Sequence, residues 1–111
     1  MIGKIDGVAV RVPTPNVSLV DFVFMPEKKV SVKDINHHFI DSSQSDICDG
    51  VLAVAQKPLV SSDFNHNSAS SIFDSNQTRI LKGGLTKVFS WYDNEWGFSN
   101  RMLDIAQYIV S

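Results

Sequence analysis

Seven consecutive residues, Trp91-Tyr92-Asp93-Asn94-Glu95-Trp96-Gly97, bring together two carboxylates, a phenol, an amide and both tryptophans of the chain. They stand between an apolar, strand-like run, Leu85 to Trp91, and a helical pattern that continues to the C-terminus. A polar Asp-Asn-Glu at a strand-to-helix junction is where α/β proteins place ligand-facing groups, because both elements hold the turn rigidly. The same residues suit a simpler task. Asp93 or Asn94 can cap the helix by accepting from its first free N–H groups, with the tryptophans in the core.

Arg11 is the second candidate. The alternation of Gly7 to Val12 predicts a strand that sets Arg11 among small apolar neighbours. A guanidinium there is costly unless it meets an anion. That anion is either a carboxylate, Asp63 or Asp93, or a phosphate, which suits the planar fork of donors. Cys48 is a poor nucleophile candidate, because Asp46 and Asp49 beside it disfavour a thiolate. His37 and His38 are adjacent on a helix and point about 100° apart, so they do not share a metal. His66 has no partner at ligand spacing, and no zinc site is expected. No Gly-x-Gly-x-x-Gly run occurs in these residues, so the dinucleotide fingerprint is absent from them.

Several elements must position these groups. After Gly7 to Val12, Pro13 and Pro15 force a bend. Val17 to Met25 reads as a strand apolar on both faces, so both faces are expected to be covered, one of them by another subunit. Ser31 with Asp34 three residues on is a variant capping box. Val32, Ile35, Phe39 and Ile40 then fall at helical spacing, giving one amphipathic helix to about Ser43. Short strands are expected at Val51 to Ala55, Leu59 to Phe64, Ser71 to Phe73 and Arg79 to Leu81. Gly83-Gly84 marks a tight connection into the last strand, Leu85 to Tyr92. Phe98, Met102, Ile105, Ala106 and Ile109 form a stripe on the final helix, which Leu103 and Val110 widen. The fold class is therefore α+β: a largely antiparallel or mixed sheet with one amphipathic helix and a C-terminal helix.

The 111 residues make one domain's worth of chain, with 43% hydrophobic and 20% charged residues. A net charge of −2 without a basic block implies neither nucleic acid nor anionic membrane as a partner. No apolar run approaches a membrane span and no signal-peptide pattern opens the sequence. One cysteine excludes an internal disulfide, and the default location is cytoplasmic.

Trp91 to Arg101, reading W-Y-D-N-E-W-G-F-S-N-R, closely resembles the C-terminal signature of the glyceraldehyde-3-phosphate dehydrogenase family. Arg11-Val12-Pro13-Thr14-Pro15-Asn16-Val17-Ser18 resembles a second signature. Val60 to Phe64 and Ser70 to Asp74 resemble its connecting strands, in the right order. The resemblance implies that residues 1–111 are the C-terminal portion of the catalytic domain, without the NAD-binding (Rossmann) domain. It implies an NAD-dependent, phosphorylating oxidation of glyceraldehyde 3-phosphate, with inorganic phosphate as the second substrate, in a cytoplasmic homotetramer of glycolysis. Arg11 matches the arginine that lies between the substrate's phosphate and the attacking inorganic phosphate. Asn94 matches the asparagine that hydrogen-bonds the nicotinamide carboxamide, with Tyr92 and Glu95 as supporting neighbours. A neutral amide offers both donor and acceptor, so it fixes the ring's rotation without disturbing its charge.

The family's nucleophilic cysteine lies in a Ser-Cys-Thr-Thr-Asn run, which Cys48 does not match, and its base is a histidine upstream of these residues. No catalytic residue is therefore expected here, and the chain alone is expected to be inactive. Its final helix is expected to lie against the chain's own NAD-binding domain. Phe98 stands where many members have tyrosine. The related erythrose-4-phosphate dehydrogenase shares several of the same runs, whereas Trp91-Tyr92-Asp93 and Pro13-Thr14-Pro15 favour the glyceraldehyde enzyme. A non-catalytic oligomerisation module is the alternative outside this class.

Overall fold

A computed structural model describes residues 3–111. The first strand, β1 (Ser18–Phe24), runs antiparallel to the last, β5 (Thr86–Tyr92), with Ser18 opposite Tyr92 and Phe24 opposite Thr86. Between them the chain forms α1 (Val32–Ser43), β2 (Leu52–Ala55), β3 (Ser71–Asp74) and β4 (Arg79–Ile80). It closes with α2 (Asn94–Val110). The strand order is β1-β5-β3-β2, with β4 also paired to β5. Only β2 and β3 are parallel, so the sheet is mixed and mostly antiparallel, and the α+β expectation holds.

Local chemistry explains most boundaries. At the start of α1, Oγ of Ser31 accepts from the Asp34 N–H at 3.2 Å, and Asp34 Oδ2 accepts from the Ser31 N–H at 2.9 Å. This completes the expected capping box. The Ser31 hydroxyl and N–H, in that order of weight, hold the Asp34 carboxyl below its ordinary pKa. Between β4 and β5, Leu81 and Leu85 close a tight turn whose Gly83 and Gly84 have φ of 109° and 94°. A side chain would strain that turn, which is why two glycines occupy it.

The core sits where β2, β3 and β5 meet the loop that follows β2. Val17, Ala55, Phe64, Ala69 and Ile72 form it, with Trp91 packed alongside. Phe64 stacks on Trp91 at 5.4 Å, and Phe39 of α1 stacks on Phe73 at 4.0 Å. The Trp91 indole N–H donates to Oδ2 of the buried Asp74 at 3.2 Å, so both polar groups are satisfied inside the core.

Two expected strands do not form. Residues 7–12 pair with no strand among the described residues, and Val8, Val10 and Val12 are exposed. Alternation favours extension, but a strand needs a neighbour to satisfy its N–H and C=O groups, and none of the described residues supplies one. Leu59 to Phe64 instead gives a turn of 3₁₀ helix at Ser61–Phe64. Asp63 Oδ2 accepts from the Val60 N–H at 2.8 Å, and this local bond competes with the extended ladder.

The sheet and α2 leave apolar surface open. Leu19, Val20, Phe22 and Val23 are each 40–48% exposed, so both faces of β1 lack the expected cover among the described residues. On α2, Phe98, Leu103, Tyr108 and Ile109 are exposed. The radius of gyration is 15.4 Å, above the roughly 13 Å expected for a compact domain of this length. Among the described residues, no helix is long and apolar enough to cross a membrane.

Candidate functional site

The junction between β5 and α2 is built around Asp93. Its backbone is extended (φ −85°, ψ 107°), and its Oδ1 accepts from the Trp96 N–H at 3.1 Å, so Asp93 rather than Asn94 is the N-cap. Its other oxygen accepts from the His66 N–H at 2.9 Å and from the Asn16 side-chain amide at 2.8 Å. The same Asn16 amide nitrogen donates to Asn65 Oδ1 at 2.6 Å. Asp93 is only 2% exposed. Burial pushes its carboxyl up, but the His66 and Trp96 N–H groups and the Asn16 amide outweigh that and hold it below the ordinary carboxylate value. The His66 imidazole stacks on the Trp96 indole at 4.7 Å, so one turn and one helix start are joined by both faces and edges.

With the capping task taken by Asp93, Asn94 is left for other work. It is the first residue of α2, and its Oδ1 accepts from the Ser18 hydroxyl at 2.8 Å. Its Nδ2 makes no hydrogen bond among the described residues. Asn94 and Glu95 line a polar cleft of about 250 Å³ whose other wall is the segment from Val10 to Ser18, including Arg11. Arg11 is exposed in that wall and forms no ion pair among the described residues. Asp63 is bonded to Val60 and Asp93 to its three donors, so neither carboxylate takes up the Arg11 charge.

Val17 lines the cleft with φ of 72°. A β-branched residue in the left-handed region is a strained position, and such strain persists only where surrounding contacts over-determine it. Here Val17 is buried in the core, while Asn16 before it and Ser18 after it bond the successive residues Asp93 and Asn94.

Residues 1–94 match a family model described as the C-terminal domain of glyceraldehyde 3-phosphate dehydrogenase. The chain belongs to the glyceraldehyde-3-phosphate dehydrogenase family. A glyceraldehyde-3-phosphate dehydrogenase from Priestia megaterium is 49% identical over 109 residues, which is 98% of this chain and 32% of that protein. One from Cereibacter sphaeroides is 49% identical over 104 residues, 94% of this chain and 31% of its own length. A third, from Nostoc, is 48% identical over 108 residues, covering 97% and 32% of the two chains. The chain thus spans about a third of the length of the curated relatives it matches.

Set within this dehydrogenase family, the predicted site residues divide. Arg11, Asn94 and Glu95 meet in one cleft. Tyr92 ends β5 and lines a separate apolar groove of about 410 Å³ with Val20, Phe22, Phe39 and Phe73. The alternating neighbours of Arg11 predicted a strand, but Arg11 lies on an exposed loop that lines the cleft beside the start of α2. Cys48 lies in the turns after α1, away from the cleft lining. His37 pairs with Asp41 at 3.3 Å one helical turn on, and no metal-binding cluster occurs among the described residues.

Sequence reasoning gave Asn16, Val17, Ser18 and His66 no task at this junction. The run Pro15-Asn16-Val17-Ser18 reads as a bend entering a strand. Nothing local signals that its side chains bond residues near the opposite end of the chain.

Proposed function

We propose that this chain forms the phosphate-facing and nicotinamide-facing wall of the active site of a phosphorylating, NAD-dependent glyceraldehyde-3-phosphate dehydrogenase. The supporting observation is the shared cleft of Arg11 and Asn94, a guanidinium without an ion pair and an amide whose Nδ2 makes no hydrogen bond among the described residues. Arg11 offers five N–H donors in a fixed fork, which matches the oxygens of a phosphate and gives charge-assisted bonds. In this reading it binds the phosphate of glyceraldehyde 3-phosphate and the attacking inorganic phosphate. Asn94 donates to the nicotinamide carboxamide and so fixes the rotation of the ring. When bound, NAD supplies the hydride acceptor. Glu95 on the cleft wall and Tyr92 at the strand end support Asn94 from either side in sequence.

The nucleophile and the base belong to the rest of the enzyme, and Cys48 serves as neither. The open apolar faces of β1 and α2 suit contact with the enzyme's own NAD-binding domain and with neighbouring subunits of a homotetramer. The reading is that of a cytoplasmic enzyme of glycolysis.

A chimera tests it. The corresponding third of the Priestia megaterium enzyme is replaced by residues 1–111, and NAD reduction is followed with glyceraldehyde 3-phosphate and phosphate. Phosphate-dependent turnover is expected, and erythrose 4-phosphate should be the poorer substrate. A chimera that assembles as a tetramer and binds NAD yet turns over neither aldehyde would overturn the proposal.

A further inference from the structure

We infer that Asn16 is a substrate-binding residue whose Oδ1 accepts a hydrogen bond from the hydroxyl beside the aldehyde of the phosphorylated substrate. The inference rests on the proposed binding of that substrate's phosphate by Arg11, and it adds a second point of recognition on the same wall of the cleft.

The two ends of an asparagine amide are alike in shape and opposite in function, one accepting and the other donating. Which end is left for a ligand is settled where the partner of the other end can play one part only. Asp93 is such a partner. Its Oδ1 accepts from the Trp96 N–H at 3.1 Å and its Oδ2 from the His66 N–H at 2.9 Å. Two backbone donors favour the ionised carboxylate, and an ionised carboxylate only accepts. The end of the Asn16 amide that lies 2.8 Å from Oδ2 is therefore Nδ2. Turning the amide over would set two acceptors against each other. The second hydrogen of Nδ2 goes to Asn65 Oδ1 at 2.6 Å, so both donors of Asn16 are taken.

What remains is Oδ1, which accepts no hydrogen bond among the described residues. Asn16 is half-buried, and among the described residues the one buried side-chain atom without a partner is Nε of Arg101, so Oδ1 of Asn16 is open to solvent. Asn16 lines the polar cleft on the segment that also carries Arg11. This wall thus presents donors alone at Arg11 and a free acceptor at Asn16. A ligand that satisfies both carries an anion and, close by, a neutral hydroxyl. Glyceraldehyde 3-phosphate has that pattern, with its phosphate on one carbon and a hydroxyl on the next. The nicotinamide amide also donates, but the residue proposed to meet it, Asn94, belongs to the opposite wall.

The chimera carrying residues 1–111 in the Priestia megaterium enzyme tests this. Its kcat/KM is compared for glyceraldehyde 3-phosphate and for 3-oxopropyl phosphate, which keeps the aldehyde and the phosphate and lacks the hydroxyl. The parent chimera should favour the hydroxylated substrate. Asn16→Ala also breaks the bond to Asp93, so both substrates should be used less well, and the diagnostic is their ratio. It should fall by roughly two- to ten-fold, the range for one neutral hydrogen bond. Asn16→Ser, which keeps a donor for Asp93 but has no amide carbonyl, should lower the ratio likewise. Asn65→Ala loosens the same joint while leaving Asn16 and Asp93 in place, and the ratio should stay at the parent value.

An unchanged ratio in Asn16→Ala or Asn16→Ser, with both substrates used less well, would make Asn16 merely structural and overturn the inference. An equal fall of the ratio in Asn65→Ala would overturn it too, because the joint rather than Oδ1 would then set the preference. No preference in the parent chimera would overturn it without any variant. If Arg11→Lys weakens the use of phosphate while the Asn16 ratio holds, only the role of Asn16 fails. If Arg11→Lys leaves phosphate dependence unchanged, the proposed phosphate contact fails first and this inference with it.

Discussion

Asn16 donates its side-chain amide to Oδ2 of Asp93 at 2.8 Å, joining the loop before β1 to the turn after β5. These residues lie near opposite ends of the chain, and their bond holds the two walls of the cleft together. Arg11 and Asn94 line the one cleft that this joint closes, so its stability governs the site.

Asp93→Ala should be among the most damaging substitutions near the cleft. It removes the helix cap, worth about 0.5–2 kcal/mol. It also removes the part-buried bond from the His66 N–H to the carboxylate, and a hydrogen bond to a charged group contributes about 1.5–3 kcal/mol. The melting temperature of the chimera should fall accordingly. The pH dependence has a definite sign. The folded carboxyl titrates below its unfolded value, so the unfolded state takes up the proton first as pH falls. The stabilisation is fully present above the ordinary carboxylate pKa of about 3.9 and is lost as pH drops through the lower folded value. The stability gap between the parent protein and Asp93→Asn should therefore shrink on acidification below that value. A gap that stays constant to the acid limit would contradict this.

Gly97→Ala should destabilise in spite of alanine's better helix propensity. The swap gains about 1 kcal/mol in an open helix. At this position the added Cβ would lie 3.2 Å from the Ala69 carbonyl oxygen, a backbone atom that cannot swing aside. The loop or the first turn of α2, which carries Asn94, must then give by a few tenths of an ångström. A lower melting temperature together with weaker NAD binding is expected. A rise in melting temperature would show that the loop yields freely.

Arg11→Lys should cost more than conservation of charge implies. Lysine keeps the charge and loses the planar fork. A hydrogen bond to a charged group contributes about 1.5–3 kcal/mol, or roughly 10- to 100-fold in affinity. The loss should fall on phosphate and on the phosphorylated aldehyde, and much less on an unphosphorylated aldehyde. Equal loss on both aldehydes, with phosphate dependence unchanged, would assign Arg11 a structural task instead.

The 111-residue chain on its own should self-associate. Phe98, Leu103, Tyr108 and Ile109 are all exposed on α2, and Phe22 and Val23 are half-exposed on β1. Contiguous apolar patches beyond a few hundred Å² are rare on monomers. Sedimentation should show concentration-dependent assembly and a hydrophobic dye should bind, with Leu103→Glu and Ile109→Glu reducing both. A clean monomer that binds no dye would mean that these faces need no partner.

The sequence by itself determined whatever depends on neighbours in the chain. The Ser31–Asp34 capping box, the α1 stripe, the Gly83-Gly84 turn and the β5-to-α2 junction are set within a few residues, and all could be read from residue type and spacing. The two long runs also carried the family and, with it, the candidates Arg11 and Asn94.

Tertiary structure decided what depends on distant groups. Residues 7–12 alternate like a strand but find no ladder among the described residues, so local preference alone could not settle them. Whether Asp93 or Asn94 caps α2 was open in the sequence, since both residue types cap well. The fold resolves it by bringing Asn16 and His66 to Asp93 and Ser18 to Asn94. A hydrogen bond across most of the chain leaves no periodic trace in one sequence. It exists because the β1–β5 ladder sets the loop before the first strand beside the turn after the last.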